Sequence, residues 1–362
     1  MSAQERKRAA LTLLRPHTPT LVSRHLVLLP LALLAAACAT DDRERLVVYS
    51  PHGQEMLAAY EAAFEEAHPD VDVVWLDMGS QDAYDRIRTE RANPQASLWW
   101  GAPQTLFAQA AEEGLLAPYT PTWAGAVAPE ARDPQGRWFG TFLTPEVIAY
   151  NSEAVDSTAA PADWDDLLDP RWRGRVVIRS PLASGTMRTI FGAMILRQPT
   201  EEEGFRWLAR LDQNTADYPA DPTQLYLKLA RGEGDVTLWN LPDIVLQAED
   251  NGYPFGWRIP ASGTPVVVDA IAITEGAPNR ARAEAFYEFV TSTEALVDQA
   301  HRFHRVPART DVPTDSLPGW MQGLDLRPMP LDWQRLAANE QAWMQTWDEQ
   351  IRGRGAAYLQ GR

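Results

Sequence analysis

The chain predicts an α/β protein of two lobes with a ligand cleft between them. Three observations carry this. A strand-like run followed by an amphipathic helix occurs three times between residues 46 and 114. A second α/β series begins beyond residue 161, after one extended passage, and a strong β run at 264–279 can return to the first lobe. Strands alternating with helices argue for a parallel sheet covered on both faces, and ligands of such open sheets sit beyond the carboxyl ends of the strands.

The first unit is "LVVYS" at 46–50, a turn "PHG", and "QEMLAAYEAAFEEAHP", whose Met56, Leu57, Tyr60, Ala63, Phe64 and Ala67 share one helical face. "VDVVWL" and "SQDAYDRIRTERA" form the next unit, and "ASLWWG" with "PQTLFAQAAEEG" the third, with Gly114 placed to end its helix. "RWFGTFLTPEVIAYN" at 137–151 reads as two extended stretches separated by Pro145, leaving the first lobe. The second lobe then contributes "RVVI", the helical patterns "TMRTIFGAMILR", "EEGFRWLARLDQ" and "PTQLYLKLARGEG", and the strand "DVTLW". Two crossings between lobes place hinges near Thr144 and Asp269, and "LDWQRLAANEQAWMQTWDEQI" closes the chain as one long amphipathic helix. The expected boundaries are a signal peptide at 1–37, a tether at 38–45, the first lobe at 46–146, the second at 147–270, a return to the first at 271–328, and the terminal helix segment at 329–362.

Composition narrows the function. The 362 residues are 45% hydrophobic and 23% charged, an ordinary globular balance. The formal net charge is −16, and residues 1–37 hold five basic side chains against one acidic, so the remainder is more acidic still. Such a surface argues against nucleic acid as a partner, because phosphate contacts need a basic face. The basic start followed by the apolar run "LVLLPLALLAAA" at 26–37 has the form of a secretory signal, too short to span a bilayer. It ends at Cys38, the only cysteine, which therefore has no intrachain partner for a disulfide. "LLAAAC" resembles a bacterial lipobox, which implies lipidation of Cys38, export, and a membrane anchor outside the cytoplasm.

"RSPLASGTMRTI" at 179–190 places small polar residues between a strand and a helix start, where backbone N–H groups suit an anion. The alternative is that Ser184 only caps the helix and Gly185 only eases the turn. His52 can donate to an anion or cap the following helix. Trp99 and Trp100 alternate across a strand, one facing the core and the other free to line the cleft. Asn240 and Asp269, at expected strand ends, can bind a hydroxyl or amine, and Asp269 serves equally as a hinge residue. His301 and His304 in "HRFH" lack carboxylate or cysteine partners in sequence and read as structural. No G-x-S-x-G, H-E-x-x-H, Gly-Lys phosphate loop or C-x-x-C is present, so the chain reads as neither an enzyme nor a resident-metal protein, with no cofactor.

Taken in order, "LVVYSPHG", "LWWGAPQTLFAQAAEEGLL", "WFGTFLTPEVIAYN", "PADWDDLLDPRWRGRVVI", "SPLASGTMRTIFGAMI", "VVVDAIAI" and "FHRVPARTDV" resemble the periplasmic solute-binding proteins of ABC importers. The similarity is to the branch of ferric-ion, hexose-phosphate and aminoethylphosphonate binders and spans nearly all of residues 46–312. It implies a type II periplasmic-binding-protein fold, capture of a small solute by lobe closure, ABC permease subunits as partners, and action as a monomer. Ferric members chelate with adjacent tyrosines in the stretch matching "VTLWNLPDIVL". Here those positions hold Trp239, Asn240, Leu241 and Pro242, and no Tyr-Tyr pair occurs in the chain. The resemblance therefore favours the anion binders and a phosphorylated or phosphonate-type solute. It implies that Ser50, His52 and Gly53 of "SPHG" and Ser180, Ser184, Gly185 and Thr186 of "SPLASGT" hold the anion from opposite sides; with Trp100, Gly101, Thr144, Asn240 and Asp269 at strand ends and the crossing these make the expected ligand set, Arg179 or Arg188 either supplying countercharge or remaining in solvent.

Overall fold

Alternation in the first strand decides how the first lobe is layered. In β1 (Glu44–Ser50), Leu46 and Val48 point to one face of the sheet and Tyr49 to the other, each into its own apolar cluster. The computed structural model describes residues 43–361; the signal segment and the first part of the tether, Cys38 included, lie outside the described residues, and the expected tether's Glu44 and Arg45 belong to β1. Helix α1 (Gln54–Ala67) follows, then β2 (Val71–Asp77), α2 (Ser80–Thr89), β3 (Leu98–Pro103), α3 (Gln104–Glu112) and the short β4 (Leu116–Ala117). Strand β1 pairs in parallel with β2 and with β3. In β3, Leu98 and Trp100 join the cluster of Leu46, while Trp99 stacks on Phe107 of α3 with centroids 4.0 Å apart on the opposite face.

The passage expected as two extended stretches is one strand, β5 (Phe139–Asn151), running through Pro145. Its first part pairs with a later strand as far as Pro145, and from Glu146 it pairs with others. The proline sits where hydrogen bonding changes partners, so its missing N–H interrupts no ladder within either set. The second lobe then supplies β6 (Val176–Val177), α4 (Gly185–Leu196), α5 (Glu201–Asn214), β7 (Thr215–Asp217), α6 (Pro222–Ala230), β8 (Val236–Asn240), α7 (Leu241–Glu249) and β9 (Phe255–Arg258). Strand β10 (Val266–Thr274) returns to the first lobe, antiparallel to both β3 and β5. Helices α8 (Arg280–Val290) and α9 (Thr293–Phe303), strand β11 (Val306–Pro307), and helices α10 (Gly319–Gln322), α11 (Trp333–Gln350) and α12 (Gly355–Leu359) complete the chain.

Among the described residues the main path of the sheet runs β2-β1-β3-β10-β5-β8-β6-β7, so β5 is common to both lobes. The second crossing lies between β9 and β10, earlier than Asp269, which sits within β10 at a register shift. The second lobe has a separate core built on Val147, Ile148, Phe191, Leu208, Trp239 and Trp347. Helix α11 reaches that core from the end of the chain: Trp347 meets Phe191 edge-on at 5.5 Å and Tyr218 at 5.0 Å. Asp212 accepts the backbone N–H of Gly353 and Gly355, both at 2.9 Å, which ties the chain's end to α5.

Candidate ligand site

The turn after β1 is built downward from its backbone. Ser50 is fully buried, and its Oγ accepts the His52 N–H at 3.2 Å, which closes the turn. Gly53, at φ +83, precedes α1 and no side chain caps that helix, so His52 is not its cap. The imidazole of His52 packs instead over Gly101, edge-on to Trp100 at 5.1 Å and to Phe142 at 5.3 Å. A Cβ at Gly101 would fall 2.5 Å from His52 Nε2, and the residue adopts φ +89, so glycine is required there on both counts. Burial, with the Arg305 guanidinium nearby, holds His52 well below the usual histidine range, so the ring is neutral at pH 7. Trp100 is fully buried, so it supports the His52 ring from below and lines no open surface, which corrects the expectation that it faces a cleft.

A second cluster surrounds the crossing of β5. Thr144 Oγ1 donates to Asp269 Oδ2 at 2.7 Å, joining β5 to β10. Ala102, at φ 113, lies in a conformation an alanine rarely adopts, and its N–H is directed to the Asp269 carboxylate. Such backbone strain recurs at functional sites. Glu146, the next charged residue along β5, is fully buried and stands opposite Asn240 of β8 in register. Asn240 caps α7: its Oδ1 accepts the Asp243 N–H, and its Nδ2 donates to Asp243 Oδ2, each at 2.9 Å. That same Oδ2 also accepts Trp239 Nε1 at 3.0 Å and the Tyr226 hydroxyl at 3.2 Å. Arg305, following α9, has a buried Nε without a partner and lies within electrostatic reach of His52 and Asp269.

The stretch 179–186 is organised by its own arginines. Arg179 donates to the Ala183 carbonyl at 3.1 Å, and Arg188 to those of Pro181 and Leu182 at 3.1 and 2.8 Å. Ser184 Oγ accepts the Met187 N–H at 3.2 Å as the cap of α4, so its hydroxyl proton is what it retains for another acceptor. Ser180 is buried, Thr186 half-buried and Gly185 exposed, and a Cβ at Gly185 would meet nothing. Among the described residues no hydrogen bond joins this loop to the Ser50–Gly53 turn; it reaches the β5 cluster through Arg179, whose guanidinium lies over the Trp239 ring at 5.5 Å.

Sequence reading missed Glu146, Asp243 and Arg305. The one available signal was a lone carboxylate inside the otherwise uncharged "FLTPEVIAYN". A cavity of about 150 Å³ elsewhere on the first lobe, lined in part by Ile87, Arg91, Gln95 and Thr274, borders none of the expected ligand residues. Tyr49 and Tyr150, in β1 and β5, are both committed elsewhere. Tyr49 donates to Glu90 at 2.8 Å, and burial together with Glu90 pushes its phenol up to about 12. Tyr150 is buried against Gly256.

Two α/β lobes share strand β5, and polar residues gather where that strand crosses between them. The chain belongs to the bacterial extracellular solute-binding protein family, whose model matches residues 59–322. It is 28% identical over 329 residues to a probable ABC transporter periplasmic-binding protein, y4fP, of Sinorhizobium fredii, covering 89% of this chain and 90% of that one. The structure resembles the periplasmic binding protein AfuA from Actinobacillus pleuropneumoniae with fructose-6-phosphate bound, at a TM-score of 0.69 and 25% identity, covering 85% of this chain and 99% of that one. The ferric binding protein from Campylobacter jejuni matches at a TM-score of 0.73 and 21% identity, covering 84% and 98%, a likeness of fold. The protein is thus a periplasmic or extracellular solute-binding component that works with an ABC transporter, of type II fold, and not an enzyme.

Proposed function

We propose that the solute is a small anion bearing a phosphoryl or phosphonyl group, held at the junction of the lobes and delivered to an ABC permease. The observation that carries this is Arg305: half-buried at the junction, with no hydrogen bond or ion pair through its guanidinium among the described residues, and within electrostatic reach of His52. An unpaired guanidinium in so acidic a chain suits bidentate pairing with a phosphate-like group. The likeness to a binding protein with fructose-6-phosphate bound supports the same class. The turn around His52 and the 180–186 loop belong to different lobes, so an anion touched by both favours the closed arrangement by its differential contacts.

Isothermal titration with fructose 6-phosphate and with inorganic phosphate tests the reading. Loss of one charge-assisted hydrogen-bond partner costs roughly 1.5–3 kcal/mol, about 10- to 150-fold in affinity. Arg305→Ala should weaken binding on that scale while leaving the ligand-free thermal midpoint nearly unchanged. Ser184→Ala and Thr186→Val separate ligand contact from helix capping: weakened binding at constant midpoint assigns contact, and a lowered midpoint with intact affinity assigns the cap. A purified protein that is coloured by iron and loses colour on mutation of Tyr49 or Tyr150 would overturn the anion reading in favour of iron. Cys38, outside the described residues, is proposed as the lipidated residue; Cys38→Ala should release the protein from membranes in a host with lipoprotein processing.

A further inference from the structure

Where the chain passes from one lobe to the other, three segments lie side by side. The first is β5 between Thr144 and Glu146, and the second is 259–265, between β9 and β10. The third follows α10. Met321 clusters with Ala300 of α9 and Val306 of β11, on the first lobe, whereas Met329 belongs to the second lobe's core. Trp320 and Leu324 pack against both. Residues 322–329 therefore carry the chain across a third time, where the sequence led to an expectation of two crossings.

All three segments meet at Thr264, which is fully buried. Its N–H donates to the Arg327 carbonyl at 2.8 Å, and its own carbonyl accepts the Met329 N–H at 2.7 Å, a parallel pairing with Pro328. On its other side the Thr264 hydroxyl donates to the Glu146 carbonyl, and the Glu146 N–H donates to the Pro265 carbonyl at 3.0 Å. Each segment changes lobes at this level. Just before Thr264, Trp164 of the second lobe's core donates through Nε1 to the Gly263 carbonyl at 2.8 Å. Just after it, Val266 pairs with Pro145. A Cβ at Gly263 would fall 3.0 Å from the Arg327 carbonyl oxygen, so the second and third segments touch backbone to backbone.

A single crossing strand has two soft torsions per residue, and the lobes it joins can both bend and twist. Three crossings bonded to one another can bend together about a common line, but twisting one lobe against the other pulls the bonded segments apart. We propose that Thr264 is the pin of a three-chain hinge, with 322–329 as a strap that confines lobe movement to bending about the line through Glu146, Thr264 and Pro328. The inference rests on the reading that the lobes move to capture a solute, and not on which solute that is. Its consequence for capture is register: the turn around His52 and the 180–186 loop approach each other along one path. Of the bonds Thr264 makes, only the hydroxyl's comes from a side chain, so that is the one a substitution can remove.

Pulsed double electron–electron resonance on the ligand-free Cys38→Ala protein, spin-labelled at Glu66→Cys in α1 and Arg210→Cys in α5, reads the distribution of distances between the lobes. Both labelled positions are exposed. Losing a neutral hydrogen bond shifts an equilibrium about 2- to 10-fold. Thr264→Val should therefore widen the distribution or add a second distance, and Thr264→Ser, which keeps the hydroxyl, should match the parent. Inserting a Gly-Gly pair after Gly323, which is exposed and outside both cores, slackens the strap and should widen the distribution as well. A Thr264→Val distribution as narrow as the parent's overturns the pin, whatever happens to the thermal midpoint, since a hydroxyl that only satisfies a buried carbonyl changes stability alone. Widening by Thr264→Ser equal to that by Thr264→Val overturns it too. An unchanged distribution after the insertion overturns the strap, and this arm decides by itself if Thr264→Val does not fold. Failure of fructose 6-phosphate to bind the parent removes the anion reading and leaves every one of these outcomes readable, because all are taken on ligand-free protein.

Discussion

His304, which ends α9 in a left-handed conformation at φ 54, hydrogen-bonds through Nε2 to Asp250 at the end of α7, 3.1 Å away. Helix α9 packs on the first lobe and α7 on the second, so this pair bridges the lobes beside the β5 crossing. Because the Asp250 side chain is 52% exposed, the pair is worth little in itself. Asp250→Asn should lower unfolding stability by no more than about 1 kcal/mol. His304→Gly, which keeps the left-handed backbone, should cost less than His304→Ala. Urea denaturation of the three variants checks both statements.

Gly101→Ala meets two obstacles, a positive φ and the His52 ring. We expect a loss of roughly 1–3 kcal/mol from backbone strain, with a further cost from displacing the imidazole. In His52→Ala/Gly101→Ala the second cost disappears, so the double variant should be more stable than the sum of the singles implies. A double-mutant cycle by chemical denaturation measures the difference, and additivity would show that His52 does not rest on Gly101.

Burial, reinforced by Asp243 and Asp269, holds the Glu146 carboxyl well above its ordinary range, and burial raises Asp269 in the same direction. Above about pH 4.3 the unfolded chain releases the Glu146 proton while the ligand-free fold still retains it. The folded state then binds more protons, so this residue lowers stability as pH rises, until the folded group also ionises. Arg305 and Thr144, facing Asp269, oppose the trend only at that neighbour. Comparing ligand-free Glu146→Gln with the parent from pH 4 upward, the stability difference in favour of the variant should grow with pH. A difference that stays constant with pH would show that Glu146 ionises normally.

Trp347 is fully buried against Phe191 of α4 and Tyr218 after β7, although it belongs to the chain's last long helix. Trp347→Ala should destabilise by about 3–5 kcal/mol, the range for removing a large buried aromatic. Thermal unfolding by circular dichroism provides the measurement.

How much of this was legible depended on how local the signal was. Helices α1, α4 and α5 and strands β1 to β3 follow from runs of apolar residues at helical or strand spacing, each bounded by its own turn residues. Pro145 misled because a proline reads as a break, whereas here it falls where β5 changes partners and no donor is needed. The turn at His52 and the glycine at 101 were visible as strand ends. Glu146, Asp243 and Arg305 come from three distant segments that only the topology brings together. In sequence, Asp243 and Arg305 look like solvated charges, and only Glu146 stands out, in an otherwise uncharged run. Ser184 caps α4, and a hydroxyl that accepts from Met187 keeps its proton for another acceptor.

Each lobe's core joins segments far apart in the chain. The core beneath β1 includes Leu46 and Val312, and that beneath β6 includes Val147 and Ile351. During synthesis from the N-terminus neither core can close early: β3 waits for β10, and α4 waits for α11. Contacts so distant along the chain slow folding, because the intervening loop must be ordered before the contact forms. Until β10 and α11 have been made, a newly made chain therefore lacks segments that complete its two cores.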